Sequence, residues 1–260
     1  MKTSLYEHFH SDERSFVDKV HDWIIRTEER HITKITDFLD PRQAYILETL
    51  MNSNIDVQHL LFGGFEEAER KRALIAPDYM EIQENDFPIQ VLSIRSDDVK
   101  FSKLTHGDFL GAILGLGIKR DKIGDLHILG NECQCIAAGE IIDYLNLNLQ
   151  QVHRVQVTTD VIPLEQLQPT SVEMYESHLT VSSLRLDNIV SDAAKMSRAK
   201  ILQPIKTGKC KVNWKIEEDP STQINAGDVV SLKGFGRFKI LSIEGKTKKG
   251  NVRLKIGKYI

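Results

Sequence analysis

Basic side chains recur at short spacings near the C-terminal end of the sequence, in residues 183–187 (SLRLD), 197–200 (SRAK) and 208–213 (GKCKVN). Arg and Lys hold phosphate groups through their charge and their several N–H donors. The first two segments are predicted at the starts of two helices, and the third is predicted along one face of a strand. This layout predicts a surface that binds RNA.

The charge of the chain is divided along its length. Residues 180–260 hold 17 Lys and Arg against 7 Asp and Glu, a net charge of +10, whereas residues 1–179 hold 17 against 30, a net charge of −13. The net charge of −3 for the whole chain hides this division. Such asymmetry indicates a polyanion-binding module that is joined to an acidic body.

Two short helices are predicted at the start of the basic segment. Apolar residues recur at helical spacing over residues 186–193 and predict the first helix. Ser197 is a predicted N-cap, so the second helix is expected to begin at Arg198. A helix N-terminus gathers unpaired N–H groups and a partial positive charge, which favour phosphate. Arg198 and Lys200 would add full charges at the same end.

A strand is predicted over residues 209–216, because polar and apolar residues alternate there. The alternation places Lys209, Lys211 and Asn213 on one face of the strand. A later glycine turn is expected to present Arg237. Three separate elements therefore place cations where one phosphate-binding surface could form.

The middle of the chain predicts a βαββαβ order. Strand-like segments lie at residues 89–94, 124–129, 133–137 and 152–157, and helical segments lie at residues 106–116 and 140–147. A tight turn at Gly130 and Asn131 is expected to join the two central strands. This order is the plan of ferredoxin-like and RNA-recognition folds. The region lacks the paired aromatic residues of RNA-recognition strands, so an RNA contact there would need another surface.

These patterns predict an α+β protein with four regions. They are a mainly helical domain (1–86), a βαββαβ domain (87–161), a linker (162–179) and an RNA-binding domain (180–260). In the first region, Asp40 and Pro41 are expected to cap and begin a helix. The charged run at residues 66–72 is interpreted as the solvated face of a helix.

Composition excludes several classes of function. No apolar run approaches the roughly 18 residues of a membrane span, and no secretion signal is present. Three cysteines without a CxxC motif favour a reduced, cytoplasmic location. The glycine-rich residues 110–117 match neither GxGxxG nor a P-loop, so they are predicted to form a helix that packs closely through glycine. We therefore expect no cofactor, no metal and no membrane partner.

Residues 181–238 resemble an S4 domain, a small RNA-binding module found in a ribosomal protein and several RNA-modifying enzymes. The pattern that carries the resemblance is S-x-L-R-L-D, S-R-x-K, G-x-x-K-V-N, then G-D and G-x-G-R. The resemblance implies an RNA surface that is lined by Arg185, Ser197, Arg198, Lys200, Lys206, Lys209, Lys211, Asn213 and Arg237. Asp187 is expected to support the first helix electrostatically.

The chain departs from the S4 pattern at Pro204, which falls where the second helix should continue. A proline there removes a backbone hydrogen bond and is expected to kink or end the helix. Whether the predicted RNA surface extends beyond Gln203 to Lys206 therefore depends on whether the helix continues through Pro204.

Residues 105–125 (THGDFLGAILGLGIKRDKIGD), 68–73 and 76–77 resemble the signature of the YlmH family, S4-domain proteins of Gram-positive bacteria and their relatives. The resemblance covers nearly all of the chain. It implies a non-catalytic protein that binds rRNA and tRNA on the large ribosomal subunit, in ribosome-associated quality control of stalled peptidyl-tRNA. Other quality-control proteins are implied as partners, and we expect a monomer.

Two questions about the middle region stay open. Lys119, Arg120 and Lys122 follow a predicted helix, and they either satisfy its last carbonyl groups or form a second RNA contact. The alternative function is a pseudouridine-synthase-like enzyme that modifies rRNA or tRNA. Its active site would lie around three middle-region residues: His106, Asp108 and Asp125. The first two could form a general-base pair, although an Asp in the first turn of a helix explains them more simply.

Overall fold

The computed structural model describes Tyr6, residues 9–171 and residues 174–259. The chain divides into two compact units, Met1–Ser171 and Val172–Ile260. Both units combine helices with antiparallel sheets, which confirms the α+β class. Within the described ranges, no helix is both long and apolar enough to cross a membrane.

The first unit begins with two helices that pack on a small antiparallel sheet. Helix α1 spans Arg14–Arg30 and α2 spans Pro41–Met51. The strands are β1 (Lys34–Ile35), β2 (Val57–Phe62) and β3 (Arg72–Pro77), in the order β1-β3-β2. The prediction of a mainly helical region missed this sheet, because the buried strand β3 has no alternating pattern that would reveal it.

The predicted cap of α2 is confirmed. Oδ1 of Asp40 accepts a hydrogen bond from the N–H of Gln43 at 2.8 Å, and the Gln43 side chain accepts one from the N–H of Asp40 at 3.0 Å. Pro41 occupies the first helical position, where its missing N–H costs nothing.

The middle part of the first unit has the predicted βαββαβ order. Its elements are β4 (Ile89–Arg95), α3 (His106–Gly115), β5 (Ile123–Ile128), β6 (Glu132–Ala138), α4 (Gly139–Asn148) and β9 (Thr158–Ile162). The sheet order is β5-β6-β4-β9 with antiparallel neighbours. The last strand was predicted at residues 152–157, which instead form a hairpin of β7 (Gln151–Val152) and β8 (Val155–Gln156). His153 turns this hairpin with a φ of 52°.

Apolar layers cover both faces of the four-stranded sheet. Helices α3 and α4 pack on one face, against residues such as Leu92, Ile94 and Cys135. The other face packs against the N-terminal part through a cluster of Phe38, Phe62, Leu74, Phe87, Ile89, Ile136 and Ala138. RNA-recognition folds bind RNA on the open face of this sheet, and here that face is closed. The predicted domains 1–86 and 87–161 thus share one compact unit.

The glycines of α3 do not serve close packing. Methyl groups added at Gly111 and Gly115 would meet no atom within 4 Å. The prediction of packing through glycine is therefore wrong at these two positions, because both lie on the exposed side of α3.

The predicted linker at residues 162–179 is structured at both ends. The N–H of Gln168 donates to the Gln134 side chain at 2.7 Å, and the N–H of Thr170 donates to Nδ1 of His127 at 3.1 Å. Strand β10 then spans Met174–Val181 and belongs to the sheet of the second unit. The sequence of this stretch does not predict these contacts, because the accepting side chains, Gln134 and His127, lie on the distant strands β6 and β5.

The second unit combines two helices with one antiparallel sheet. After β10 come α5 (Leu186–Ala194), α6 (Arg198–Lys206), β11 (Cys210–Val212), β12 (Lys215–Ile216), β13 (Val229–Leu232), β14 (Gly236–Lys246) and β15 (Val252–Tyr259). The six strands lie in the order β10-β15-β14-β13-β11-β12. Both helices pack their apolar residues on one face of the sheet, around the buried Phe238.

Helix α6 continues through Pro204 to Lys206, so it does not end at the proline. Proline removes only the hydrogen bond that its N–H would give to the carbonyl of the exposed Lys200. The helix ends one turn later, where Gly208 and Lys209 donate to the carbonyls of Ile205 and Pro204 at 3.1 and 3.0 Å. This is a Schellman ending, and Gly208 supplies the required positive φ of 68°.

Residues 66–71 form a loop that leads into β3, and Arg72 is the first residue of that strand, so the predicted helix over residues 66–72 is wrong. Arg72 is buried, with only 4% of its surface exposed. Its Nε donates to the carbonyl of Thr36 at 2.7 Å, and its Nη1 donates to Pro88 O at 3.0 Å and to Glu140 at 3.2 Å. Burial alone would raise the pKa of Glu140, but Lys122 and Arg72 lower it to about 2. One guanidinium thus joins the residue after β1, the residue before β4 and the first turn of α4.

Replacing Arg72 with Met is expected to lower the free energy of unfolding of the first unit by about 3 kcal/mol. The carbonyls of Thr36 and Pro88 would lose their donor, and Glu140 would lose a partner. Urea unfolding at neutral pH measures this loss. Arg26→Met is the matched control, because its ion pair with Asp22 is more than half exposed and should contribute about 0.3–0.5 kcal/mol. Equal losses in the two variants would contradict the assigned role.

Candidate nucleic-acid interface

Asp187 holds two of the predicted RNA-binding arginines in place. Its carboxylate is buried, with only 1% of the side chain exposed. Arg185 donates to it through Nε and Nη2 at 3.2 Å each. Arg198 donates to Oδ2 through Nε at 2.8 Å and Nη2 at 2.6 Å. The starts of α5 and α6 are therefore joined through one carboxylate.

The charges of this cluster favour its ionised state. Burial alone would raise the pKa of Asp187, but the hydrogen bonds from Arg185 and Arg198 bring the pKa below its ordinary value. The hydrogen bond to Asp187 also raises the pKa of Arg185. Two cations share one anion, so the cluster keeps a net positive charge. The arginine side chains are 36% and 53% exposed and can still meet a phosphate.

Backbone contacts fix the start of α5. The N–H groups of Leu186 and Asp187 donate to the carbonyls of Thr222 and Pro220 at 2.9 and 3.0 Å. A nearby bond from Ile224 N–H to Leu184 O, at 2.9 Å, extends this pairing. These two N–H groups in the first turn of α5 are therefore bonded within the protein and are not available to a ligand.

The predicted residues of α6 lie on its solvent side. Ser197 occupies the N-cap position as predicted, but its hydroxyl makes no hydrogen bond to the first turn of the helix. Lys200 and Lys206 are exposed, and Lys206 lies in the last turn, where a cation is favourable to the helix dipole. The continuation of α6 through Pro204 keeps Lys206 on this helix.

The predicted single strand over residues 209–216 is wrong, because the chain turns back after Val212. Asn213 and Trp214 have φ values of 50° and 64°, the two positive values that a two-residue hairpin turn requires. The side chain of Asn213 donates to Asp228 at 2.8 Å and accepts from the N–H of Val229 at 2.9 Å. Asn213 therefore fixes the turn to β13 and does not continue the cationic row.

Lys211 and Arg237 lie on the sheet face that points away from the helices. Lys211 pairs with Ser231, and Ser231 pairs with Arg237, so the three side chains share a face. Their neighbours Cys210 and Phe238 point to the opposite face and lie in the core under α5 and α6. The nine predicted residues are therefore divided between the two sides of the sheet.

Two of the three cations in the proposed second contact are engaged inside the first unit. Nη1 of Arg120 donates to the carbonyl of Ile123 at 2.6 Å, and burial, with a contribution from Arg70, lowers its pKa to about 10. Lys122 contacts Asp37 and Glu140 at 2.6 and 2.8 Å. Lys119 is exposed and offers its charge to solvent.

The alternative catalytic residues have structural contacts. Asp108 accepts hydrogen bonds from the N–H and the hydroxyl of Thr105, each at 2.8 Å, which lower its pKa and cap α3. Asp125 accepts from the backbone N–H groups of Glu69 and Arg70 at 2.6 and 3.2 Å. Among the residues that the structure describes, no group of His, Cys, Asp or Glu is arranged to hold a metal.

Comparison with known proteins identifies the family. Residues 12–80 match the family model described as "YlmH, N-terminal", and residues 83–166 match "Putative RNA-binding domain in YlmH". A Bacillus subtilis (strain 168) protein named "Ribosome-associated protein quality control protein P2" is 39% identical over 252 residues, which cover 97% of each chain. The chain belongs to the YlmH family.

A solved YlmH structure resembles the chain as well. "Cell division protein ylmH from Streptococcus pneumoniae" is 28% identical, with a TM-score of 0.54. The similarity covers 63% of this YlmH-family chain and 99% of the solved one.

Sequence reasoning did not identify the part that Asp187, Trp214 and Tyr259 play in this YlmH protein. The spacing Arg-x-Asp at residues 185–187 contained a signal, since an Asp two residues from an Arg can accept its guanidinium. The guanidinium of Arg237 lies 3.9 Å from the ring centre of Tyr259 and 5.6 Å from that of Trp214. No local pattern predicts this contact, because Tyr259 lies on another strand.

Replacing Asp187 with Asn is expected to lower the free energy of unfolding of this YlmH protein by about 1–3 kcal/mol at pH 7, because charge-assisted hydrogen bonds to both arginines are lost. Since folding lowers the pKa of Asp187, its stabilisation is present above the ordinary Asp range and disappears as the pH falls through the folded-state value. The difference between wild type and variant should therefore shrink below about pH 4.

Thermal unfolding measured across this pH range tests the expectation. Asp192→Asn is the control, because Asp192 is an exposed acid on the same helix. A difference for Asp187→Asn that stays constant with pH would contradict it.

Proposed function

We propose that this chain is a non-catalytic RNA-binding protein that acts in ribosome-associated quality control. In this proposal the second unit is an S4-type domain that holds rRNA and tRNA on the large ribosomal subunit. The observation that carries the proposal is the Asp187 cluster, which orders two arginines at the starts of two helices within a segment of net charge +10. Ordered guanidinium groups are suited to recognise phosphate.

The cellular role rests on the relatives. The Bacillus subtilis protein that is 39% identical carries ribosome-associated quality control in its name, and the match covers 97% of both chains. The family model over residues 83–166 carries the description "Putative RNA-binding domain in YlmH". Action on ribosomes would place the protein in the cytoplasm, as a monomer whose other partners are quality-control proteins.

The domain plan that we propose separates RNA contact from scaffolding. Residues 1–86 and 87–161 form the body, residues 162–179 connect it, and residues 180–260 contact RNA. Arg185, Arg198, Lys200 and Lys206 are the proposed contacts on the helical side. In the body, Lys119 is the proposed second contact, since Arg120 and Lys122 already bind carbonyl and carboxylate groups.

Binding without catalysis is supported by the contacts of the alternative catalytic residues. Asp108 caps a helix and Asp125 holds a loop, which accounts for both carboxylates. Purified protein incubated with rRNA and tRNA, with and without modification cofactors, should give no new modified nucleoside. Detection of one by mass spectrometry would restore the enzyme hypothesis.

Replacing Arg198 with Gln is expected to weaken RNA binding several-fold at low salt. The slope of log K against log salt should fall by about 0.9, because one fewer phosphate of a helical RNA is neutralised. Titration of a labelled RNA hairpin at several salt concentrations measures both quantities. Lys248→Gln is the control, since it removes one exposed charge from the turn between β14 and β15. An unchanged salt slope in Arg198→Gln would show that Arg198 does not neutralise an RNA phosphate.

The role on the ribosome requires a separate measurement. Large subunits that carry peptidyl-tRNA should retain the protein during sedimentation better than empty large subunits, if tRNA forms part of the binding site. Equal retention would limit the contact to rRNA, and no retention of either kind would reject ribosome binding.

A further inference from the structure

The outer face of the second unit's sheet, defined here as the face opposite to α5 and α6, carries its own cations. Lys211, Ser231 and Arg237 form a row across β11, β13 and β14. Lys239 lies two residues from Arg237 on the same strand, so its side chain shares this face. The core residues Val230 and Leu232 point the other way.

The same face gains further charge at one end of these strands. Lys209 precedes β11 and Lys233 follows β13, and the N–H of Lys233 donates to the carbonyl of Lys209 at 3.0 Å. Both lysines are exposed, as is Lys211. Strands β11 and β13 and residues 236–240 of β14 contain no Asp or Glu. The strands that carry these lysines therefore contain no acidic residue.

The remaining strands of the sheet are different. On β10 and β15, Lys255 pairs with Glu176 at 2.7 Å. His178 lies 3.3 Å from Glu244 of β14. Positive charge is thus concentrated on the outer face of β11, β13 and the first half of β14.

Aromatic rings stand beside these cations. The guanidinium of Arg237 lies over the rings of Tyr259 and Trp214, which is a cation–π arrangement. Arginine planes and aromatic rings are the groups on which unpaired bases stack. A double-stranded RNA would offer phosphates to this face but no free base, whereas a single strand offers both.

We propose that the outer sheet face is a second RNA-binding surface, which takes a single-stranded RNA segment. The second unit would then hold two RNA segments at once, one beside the Asp187 cluster and one on the opposite side of its sheet. This inference rests on the proposed function, because it assumes that the helical side also binds RNA.

The test uses the full chain with two labelled probes, an RNA hairpin and an unstructured oligouridine. Wild-type protein saturated with the hairpin should still bind the oligouridine without releasing the hairpin. The double variant Lys211→Gln with Lys239→Gln should keep hairpin binding and lose affinity for oligouridine. Its salt slope for oligouridine should fall by about 1.4, since each single-strand phosphate contributes about 0.7.

Matched variants separate the two surfaces. Arg198→Gln with Lys200→Gln should weaken the hairpin and spare the oligouridine, and Lys248→Gln with Lys249→Gln should change neither. Circular dichroism and thermal unfolding confirm that each variant is folded.

Several results would overturn the proposal. Displacement of the hairpin by oligouridine would mean one shared surface, and oligouridine binding that survives loss of Lys211 and Lys239 would place the strand elsewhere. A polyglutamate peptide that binds this face as well as oligouridine does would assign the face to an acidic protein partner. Failure of wild-type protein to bind either RNA would instead reject the proposed function itself.

Discussion

A single buried carboxylate organises the helical side of the second unit. Asp187 accepts hydrogen bonds from Arg185 and Arg198, which lie at the starts of two different helices. A carboxylate without these partners would be costly in that place, and the arginines without it would lose their common orientation. The geometry of the helical pair, and of the phosphate-recognising groups on it, therefore depends on an anion that itself never needs to touch RNA.

The sheet of the second unit separates two chemical environments. Its inner face is apolar and lies beneath α5 and α6, while its outer face carries lysines and an arginine stacked on aromatic rings. The hairpin turn at Asn213 and Trp214 brings Trp214 beside Arg237. Without this turn, the strand would continue past the sheet and Trp214 would not meet the arginine.

Sequence patterns predicted the elements whose signals are local. The βαββαβ order, the cap at Asp40 and the two basic helices followed from periodicity and capping chemistry. The sequence did not reveal the contacts that join distant segments. Arg72 reads as part of a charged surface run, yet it is buried because Glu140 and two carbonyls meet it there. The sequence pattern places Asn213 in a strand, whereas its positive φ and its bond to Asp228 place it in a turn. The division of the cations between two faces also depends on strand pairing, which spacing alone does not give.

The closed face of the first unit's sheet has a consequence for how the protein folds. Phe38, Phe62 and Leu74 of the N-terminal part cover apolar strand residues of the middle part. The boundary between the two family models, near residues 80–83, therefore runs through a shared core. Cutting the chain there would expose both halves of that core to water and favour their aggregation. We therefore expect residues 1–171 to unfold as one cooperative unit, although two family models match them.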